Sequence, residues 1–214
     1  MLKKLLIGLV VLLAAGFAQA QPKAGAEYQE LSSPLAADAP GKIEVIEFFW
    51  YGCPHCYVFE PVLGPWTKKL PKDTQFRRIP AIFNDVWGQG ARAYYALEAI
   101  GEAERLHKPL FDAVHLETKL DVANEAALTD WLGKHGADTK KFAAAYRSFS
   151  VEGKVKRAIQ LTQAYKIDGV PSMAVNGKYV VSAGAVASRE QLLAVADYLI
   201  ERSRNEGAKA ALKK

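Results

Sequence analysis

The chain has 214 residues, 50% of them hydrophobic, with a formal net charge of +5 and two cysteines. That apolar content suits an ordinary packed core, which excludes a disordered chain, and two cysteines are too few for a small disulfide-stapled fold. The excess positive charge is mild and scattered, with no basic block interleaved with aromatics, which argues against a nucleic-acid partner.

Residues 1–20 read as a secretory signal peptide. Lys3 and Lys4 supply the positive start, Leu5 to Phe17 the apolar stretch, and Ala18-Gln19-Ala20 the small-x-small cleavage pattern. A membrane span needs about 20 apolar residues, and this run is shorter. Cleavage is expected after Ala20, and the mature chain then works outside the cytoplasm, where disulfides persist.

Residues 21–41 are rich in Ala, Pro and Ser and read as an extended lead-in with a short edge strand near Tyr28. From Ile43 to Trp50 the chain is nearly continuously apolar, with β-branched and aromatic residues, as in a central strand buried on both faces. Two acids interrupt it. Glu44 sits near the start, where water is within reach. Alternation puts Glu47 on the face of Val45 and Phe49, where a carboxylate needs a partner or a proton. It is either a strand-end acid that reaches water or a buried acid relaying protons to the second thiol of the pair that follows.

That pair, Cys53-Pro54-His55-Cys56, comes directly after Gly52. Pro54 suits the first position of a helix, because its missing N–H had no intrahelical partner there. Cys53 then lies at a helix N-terminus, where unpaired N–H groups and the helix dipole favour a thiolate, the reactive form. His55 adds to this by donating to, or carrying positive charge beside, the Cys53 sulfur. Stabilising the thiolate stabilises the reduced state, so a Cys53–Cys56 disulfide becomes a stronger oxidant.

The helix continues through Phe59, Val62 and Leu63, with a kink expected at Pro61. Thr74 to Pro80 reads as the next strand, giving a βαβ unit. Between residues 84 and 150 the pattern is helical only, with Asn124 and Asp138 as N-caps of the third and fourth short helices. A longer helix is expected from about Val151 to Tyr165. Asn176-Gly177 between apolar runs signals a hairpin, and Ser188 with Gln191 caps the last helix. The expected organisation is signal 1–20, a first part 21–83, a helical insertion 84–150, a second part 151–203 and a flexible basic tail 204–214. His107, His115 and His135 read as surface or core histidines, and Trp66, Trp87 and Trp131 as packing residues. Trp50 is the aromatic suspected of touching clients.

The order β-α-β, helical insertion, α-β-β-α resembles an α/β thioredoxin fold with an inserted all-helical subdomain. The combination of Glu47-Phe48-Phe49, Cys53-Pro54-His55-Cys56-Tyr57, Phe59-Glu60 and Gly169-Val170-Pro171-Ser172-Met173 closely resembles the DsbA family of periplasmic disulfide oxidases. The match extends through Val175-Asn176-Gly177-Lys178-Tyr179 and covers essentially the whole mature chain. It implies that Cys53 is the nucleophile and forms the mixed disulfide, and that Cys56 resolves it. It further implies that Pro171, following Val170, is a cis-proline that helps hold client backbone, and that Glu47 is the family's buried acid. Trp50-Tyr51-Gly52 departs from the pattern at the rim, where client preference is set. The resemblance implies reduced exported proteins as clients and a quinone-linked membrane re-oxidase of the DsbB type; the sequence itself implies no metal or organic cofactor, and a monomer is the default expectation.

Other readings of the pair are weaker. A four-residue loop makes a poor staple, no second cysteine or histidine pair completes a zinc site, and haem attachment needs histidine where Tyr57 stands. An isomerase or reductase remains the alternative within the redox class, and a chaperone-like binder of unfolded secreted proteins outside it.

Overall fold

A computed structural model of the protein describes residues 21–212. The signal peptide and its cleavage site lie outside the described residues. The elements are β1 (Gln29–Glu30), β2 (Ile43–Phe49), α1 (Pro54–Thr67), β3 (Thr74–Pro80), α2 (Asp85–Ala99), α3 (Ala103–Asp112), α4 (Glu125–Lys134), α5 (Thr139–Tyr146), α6 (Phe149–Ala164), β4 (Ser172–Val175), β5 (Tyr179–Ser182) and α7 (Arg189–Ala211). A π-helical turn, Ala113–Glu117, extends α3.

The strands form one sheet in the order β1-β5-β4-β2-β3, with β2 parallel to β3 and antiparallel to β4. The central strand β2 is buried along nearly its whole length, as its largely apolar sequence requires, and its two acids are buried with it. On one face Val45, Met173, Val175, Tyr179 and Val181 pack with Phe59 and Leu63 of α1 and with Leu192, Val195, Ala196 and Leu199 of α7. On the other, Ile46, Phe48 and Ala174 join the core built with α2, α6 and the helices between them. This is a thioredoxin fold with helices α2 to α5 inserted between β3 and α6.

Local signals hold where they are self-contained. Asn124, Asp138, Ser148 and Ser188 each accept a backbone N–H at the start of their helices. Asn176 and Gly177 both have positive φ, 53° and 67°, as a tight hairpin turn requires. Gly177 is also needed for space: a Cβ there would lie 2.0 Å from the Leu35 carbonyl oxygen. The lead-in runs along this hairpin, with Leu31 N–H and Leu35 N–H donating to the carbonyls of Lys178 and Gly177.

One boundary is corrected. Residues 204–211, expected as a flexible tail, continue α7 to Ala211. Arg204 pairs with Asp73, while Glu206 accepts from Tyr179 and pairs with Lys178 and Arg202. These tertiary ion pairs hold a segment whose polar composition suggested fraying. Helix α1 runs through both Pro61 and Pro65 as one element.

Candidate active site

Cys53 is the N-cap of α1, in extended conformation, with Pro54 at the first helical position. Its backbone N–H donates to the Trp50 carbonyl at 3.0 Å, and its sulfur accepts the Cys56 N–H at 3.4 Å. Both cysteines are free thiols and both are buried, Cys56 completely. The Cys56 thiol and the backbone N–H groups of Cys56 and His55 bring the Cys53 thiol down to about 6, against a burial effect that raises it. His55, exposed at the surface, contributes the smallest of these effects. Its effect is smaller than the sequence suggested, the Cys56 thiol and the amides at the helix start contributing more. Burial, followed by the Cys53 sulfur and Glu47, pushes the Cys56 thiol far above its ordinary value. The two sulfurs are therefore strongly unequal.

Glu47 is wholly buried. It stands opposite Arg78 in the β2–β3 register, and Arg78 Nε donates to its Oε2 at 3.1 Å. Its other oxygen, Oε1, has no hydrogen-bond partner. Burial and the Glu60 carboxylate push Glu47 up to about 8, despite Arg78. The arginine does not prevail because it is shared. Its Nη2 lies 3.3 Å from Glu60 and its Nη1 3.3 Å from the exposed Glu104. A buried carboxyl that keeps its proton near neutral pH, close enough to act on the Cys56 sulfur electrostatically, is suited to general acid chemistry. Glu44, the other strand acid, is also buried and pairs with Arg77 at 2.8 Å.

The pre-cysteine loop is held by the insertion. The Tyr51 hydroxyl lies 3.0 Å from His107 Nδ1, and His107 Nε2 lies 3.2 Å from Glu60 Oε1. From the π-helical turn, His115 Nε2 donates to the Tyr51 carbonyl at 2.8 Å while its ring stacks on Tyr57. Reading these histidines as surface or core residues missed this. A signal was present: His107, Phe111 and His115 recur every four residues, which puts them on one face of α3 and its extension. Glu60, one turn beyond Cys56 on α1, carries the same signal.

Trp50 is half-buried and stacked on Trp87, with ring centroids 4.3 Å apart and planes at 10°. Its ring also covers Gly52, where a Cβ would lie 2.4 Å from ring carbon. So Trp50 is fixed against the insertion rather than standing free at the rim. Across from α1, the Val170–Pro171 peptide is cis, and the Cys53 thiol donates to the Val170 carbonyl at 3.5 Å. A cleft lined by His55, Pro171, Ala183 and Arg189 opens beside the pair. The structure thus brings Cys53, Pro54, His55, Cys56, Val170 and Pro171 together, with Pro54 and His55 exposed, the cysteines and Pro171 buried behind them, Glu47 in the interior and Trp50 half-buried just before the pair.

Comparison with known proteins agrees with this geometry. Residues 44–194 match the family model described as a DSBA-like thioredoxin domain. The chain is 46% identical over 181 residues to the thiol:disulfide interchange protein DsbA of Pseudomonas aeruginosa, covering 85% of each. It is 44% identical over 192 residues to DsbA of Azotobacter vinelandii, covering 90% of this chain and 89% of that one. The crystal structure of Pseudomonas aeruginosa DsbA superposes with a TM-score of 0.83 at 44% identity, over 90% of this chain and 97% of that one. DsbA from Xylella fastidiosa gives 0.80 at 33% identity, over 86% and 98%. With a family model spanning most of the chain and relatives this similar along almost their whole length, the protein belongs to the DsbA family of thiol:disulfide oxidoreductases.

Proposed function

We propose that the protein is a disulfide oxidase, donating a Cys53–Cys56 disulfide to reduced exported proteins. The observation that carries this reading is the inequality of the two sulfurs. A thiolate favoured at Cys53 stabilises the reduced state, and each 1.4 kcal/mol of that stabilisation raises the potential by about 30 mV. It also makes Cys53 a good leaving group toward a client thiolate.

The steps follow from the positions of the groups. A client thiolate attacks Cys53 Sγ, the Cys53–Cys56 bond breaks, and Cys56 leaves with the electron pair. Buried and poorly solvated, Cys56 takes a proton from the Glu47 carboxyl. A second client thiolate then attacks the client sulfur of the mixed disulfide, releasing the oxidised client and the Cys53 thiolate. In this reading Pro54 starts the helix that activates Cys53, and His55 adds charge at its edge. Val170 and Pro171 offer main chain to the client beside the reacting sulfur. Trp50, stacked on Trp87, shapes the rim rather than gripping clients.

The reading extends to setting. Residues 1–20 act as a signal peptide removed after Ala20, so the mature chain works in the periplasm as a monomer. Residues 84–148 form the inserted subdomain, between a first part of residues 21–83 and a second of residues 149–211. Turnover then needs a membrane re-oxidase of the DsbB type that passes electrons to quinone.

Equilibration of the mature protein in glutathione buffers tests the direction of transfer. A potential more oxidising than about −180 mV, the value typical of a disulfide isomerase, is expected. A potential near about −270 mV, typical of thioredoxin, would replace the oxidase by a reductase.

A further inference from the structure

The charged and polar groups beneath the cysteines form one chain. The Tyr51 hydroxyl meets His107 Nδ1, His107 Nε2 meets Glu60, and Arg78 joins Glu60 to Glu47. His107 comes from the inserted α3, is buried, and has no part in the sulfur chemistry described above.

The partners fix the state of the ring. Nε2 faces a carboxylate and must carry the proton, so Nδ1 presents a lone pair and accepts the Tyr51 O–H. Burial disfavours the imidazolium and lowers His107 from its ordinary value, consistent with a neutral ring. Burial alone would raise Glu60, but the His107 hydrogen bond and Arg78 together hold it below the usual carboxylate range. The groups facing His107 are Glu60 on α1, Tyr51 in the loop, Arg78 on β3, Tyr94 on α2 and Glu104 on its own helix. Those facing Glu47 are Arg78 on β3, and Glu60 and both cysteines at α1.

We infer that His107 is a positioning residue for the redox centre: pinned between Tyr51 and Glu60, it holds the Glu60 carboxylate against Arg78, so that Arg78 is divided between two acids instead of serving Glu47 alone. The inference deepens the role of Glu47 proposed above and rests on it. With Glu60 held as an anion, Glu47 feels both a like charge and a distracted partner, and it retains the proton that Cys56 receives. Without the His107 donor, Glu60 gains a proton more readily, Arg78 turns to Glu47, and Glu47 ionises at lower pH.

The test is a carbon-13 NMR titration of the Glu47 carboxyl in the reduced full mature chain, identified by its absence in Glu47→Gln. The wild-type midpoint is expected near 8. Glu60→Gln and His107→Leu should each lower it by about one unit or more, and the double variant should add nothing to Glu60→Gln. His107→Gln, whose amide can donate to Glu60 and accept from Tyr51, should restore it. An unmoved midpoint in Glu60→Gln overturns the proposal, as does a shift there with none in His107→Leu. Should His107→Leu not fold, nitrogen-15 shifts of the wild-type imidazole decide: a neutral Nε2–H ring between pH 5 and 8 supports it, and an Nδ1–H tautomer or a cation overturns it. No client or potential enters these readouts, so they fail or succeed independently of the oxidase assignment.

Discussion

Arg78 Nε lies 3.1 Å from Glu47 Oε2, on adjacent parallel strands at paired register positions, and both side chains are buried. A buried charge pair is weak evidence for stability, but removing one partner strands the other. At pH 7 the charged partner is Glu60, so Arg78→Leu leaves the Glu60 carboxylate without its cation and the Glu47 carboxyl without its donor. Urea unfolding of the reduced protein at pH 7 should register a loss of about 3–5 kcal/mol. The loss should shrink toward pH 4.5 as the unfolded-state acids also take up protons, and a loss independent of pH would contradict this account.

Glu47→Gln should behave in the opposite way. Glu47 is raised in the folded state, so the folded protein holds its proton up to about 8 while the unfolded chain releases it near 4.5. Wild-type stability therefore falls across that window. The reduced variant should match wild type near pH 4 and exceed it above pH 8, by an amount on the order of a few kcal/mol. Paired denaturation curves at the two pH values check the sign. The same variant should slow client oxidation, since Gln has no proton to give Cys56.

The Cys53 thiolate, followed by its ultraviolet absorbance in the reduced protein, should titrate near 6. Because the Cys56 thiol is the larger contributor and His55 the smallest, Cys56→Ala should raise that midpoint more than His55→Ala does. A larger effect from His55→Ala would restore the histidine as the principal cause. The folded value lies below the unfolded value of 9.0, so this group's contribution to reduced-state stability is complete above pH 9 and lost as pH falls through about 6.

Gly52→Ala puts a methyl group where the Trp50 ring lies, 2.4 Å from ring carbon. Trp50 must leave Trp87, at an expected loss of about 1–3 kcal/mol for an overpacked site. Near-ultraviolet circular dichroism should lose the coupled signal of the stacked indoles. An unchanged spectrum would mean that the loop accommodates the methyl group elsewhere.

Truncation after Ser203 removes Arg204 and Glu206, which tie α7 to Asp73, Tyr179 and Lys178. These pairs are largely exposed and screened by solvent, so a small loss of thermal stability is expected. Thermal unfolding at low and high salt checks it, with the truncation effect smaller in high salt.

What was legible in the sequence was local. The cap at Asn124, the turn at Asn176-Gly177 and the helix start at Pro54 each require only a few neighbouring residues, and sequence displays those directly. Glu47 could be flagged as an anomaly on a buried strand, but its partner could not be named until β2 and β3 were in register. The His107–Tyr51 and His115–Tyr51 contacts span 56 and 64 residues. They depend on how the inserted helices fold back, which no local pattern specifies. The helicity of 204–211 was illegible for the same reason: the contacts that secure it are made with Lys178 in the hairpin turn, with Tyr179 of β5 and with Asp73 in the loop before β3.

The carbonyl of Tyr51, two residues before the reactive cysteine, is held by a histidine from the π-helical turn, while its hydroxyl is held by a histidine one helix segment earlier. The loop before the cysteines and the inserted helices are thus a single mechanical unit. A shortened relative lacking residues 84–148 would keep the sheet, the pair and the cis-proline, yet its Tyr51 would be untethered at both ends. Transplanting the four-residue Cys-Pro-His-Cys segment onto a plain thioredoxin-like scaffold would therefore transfer the helix-start chemistry without the frame that steadies it.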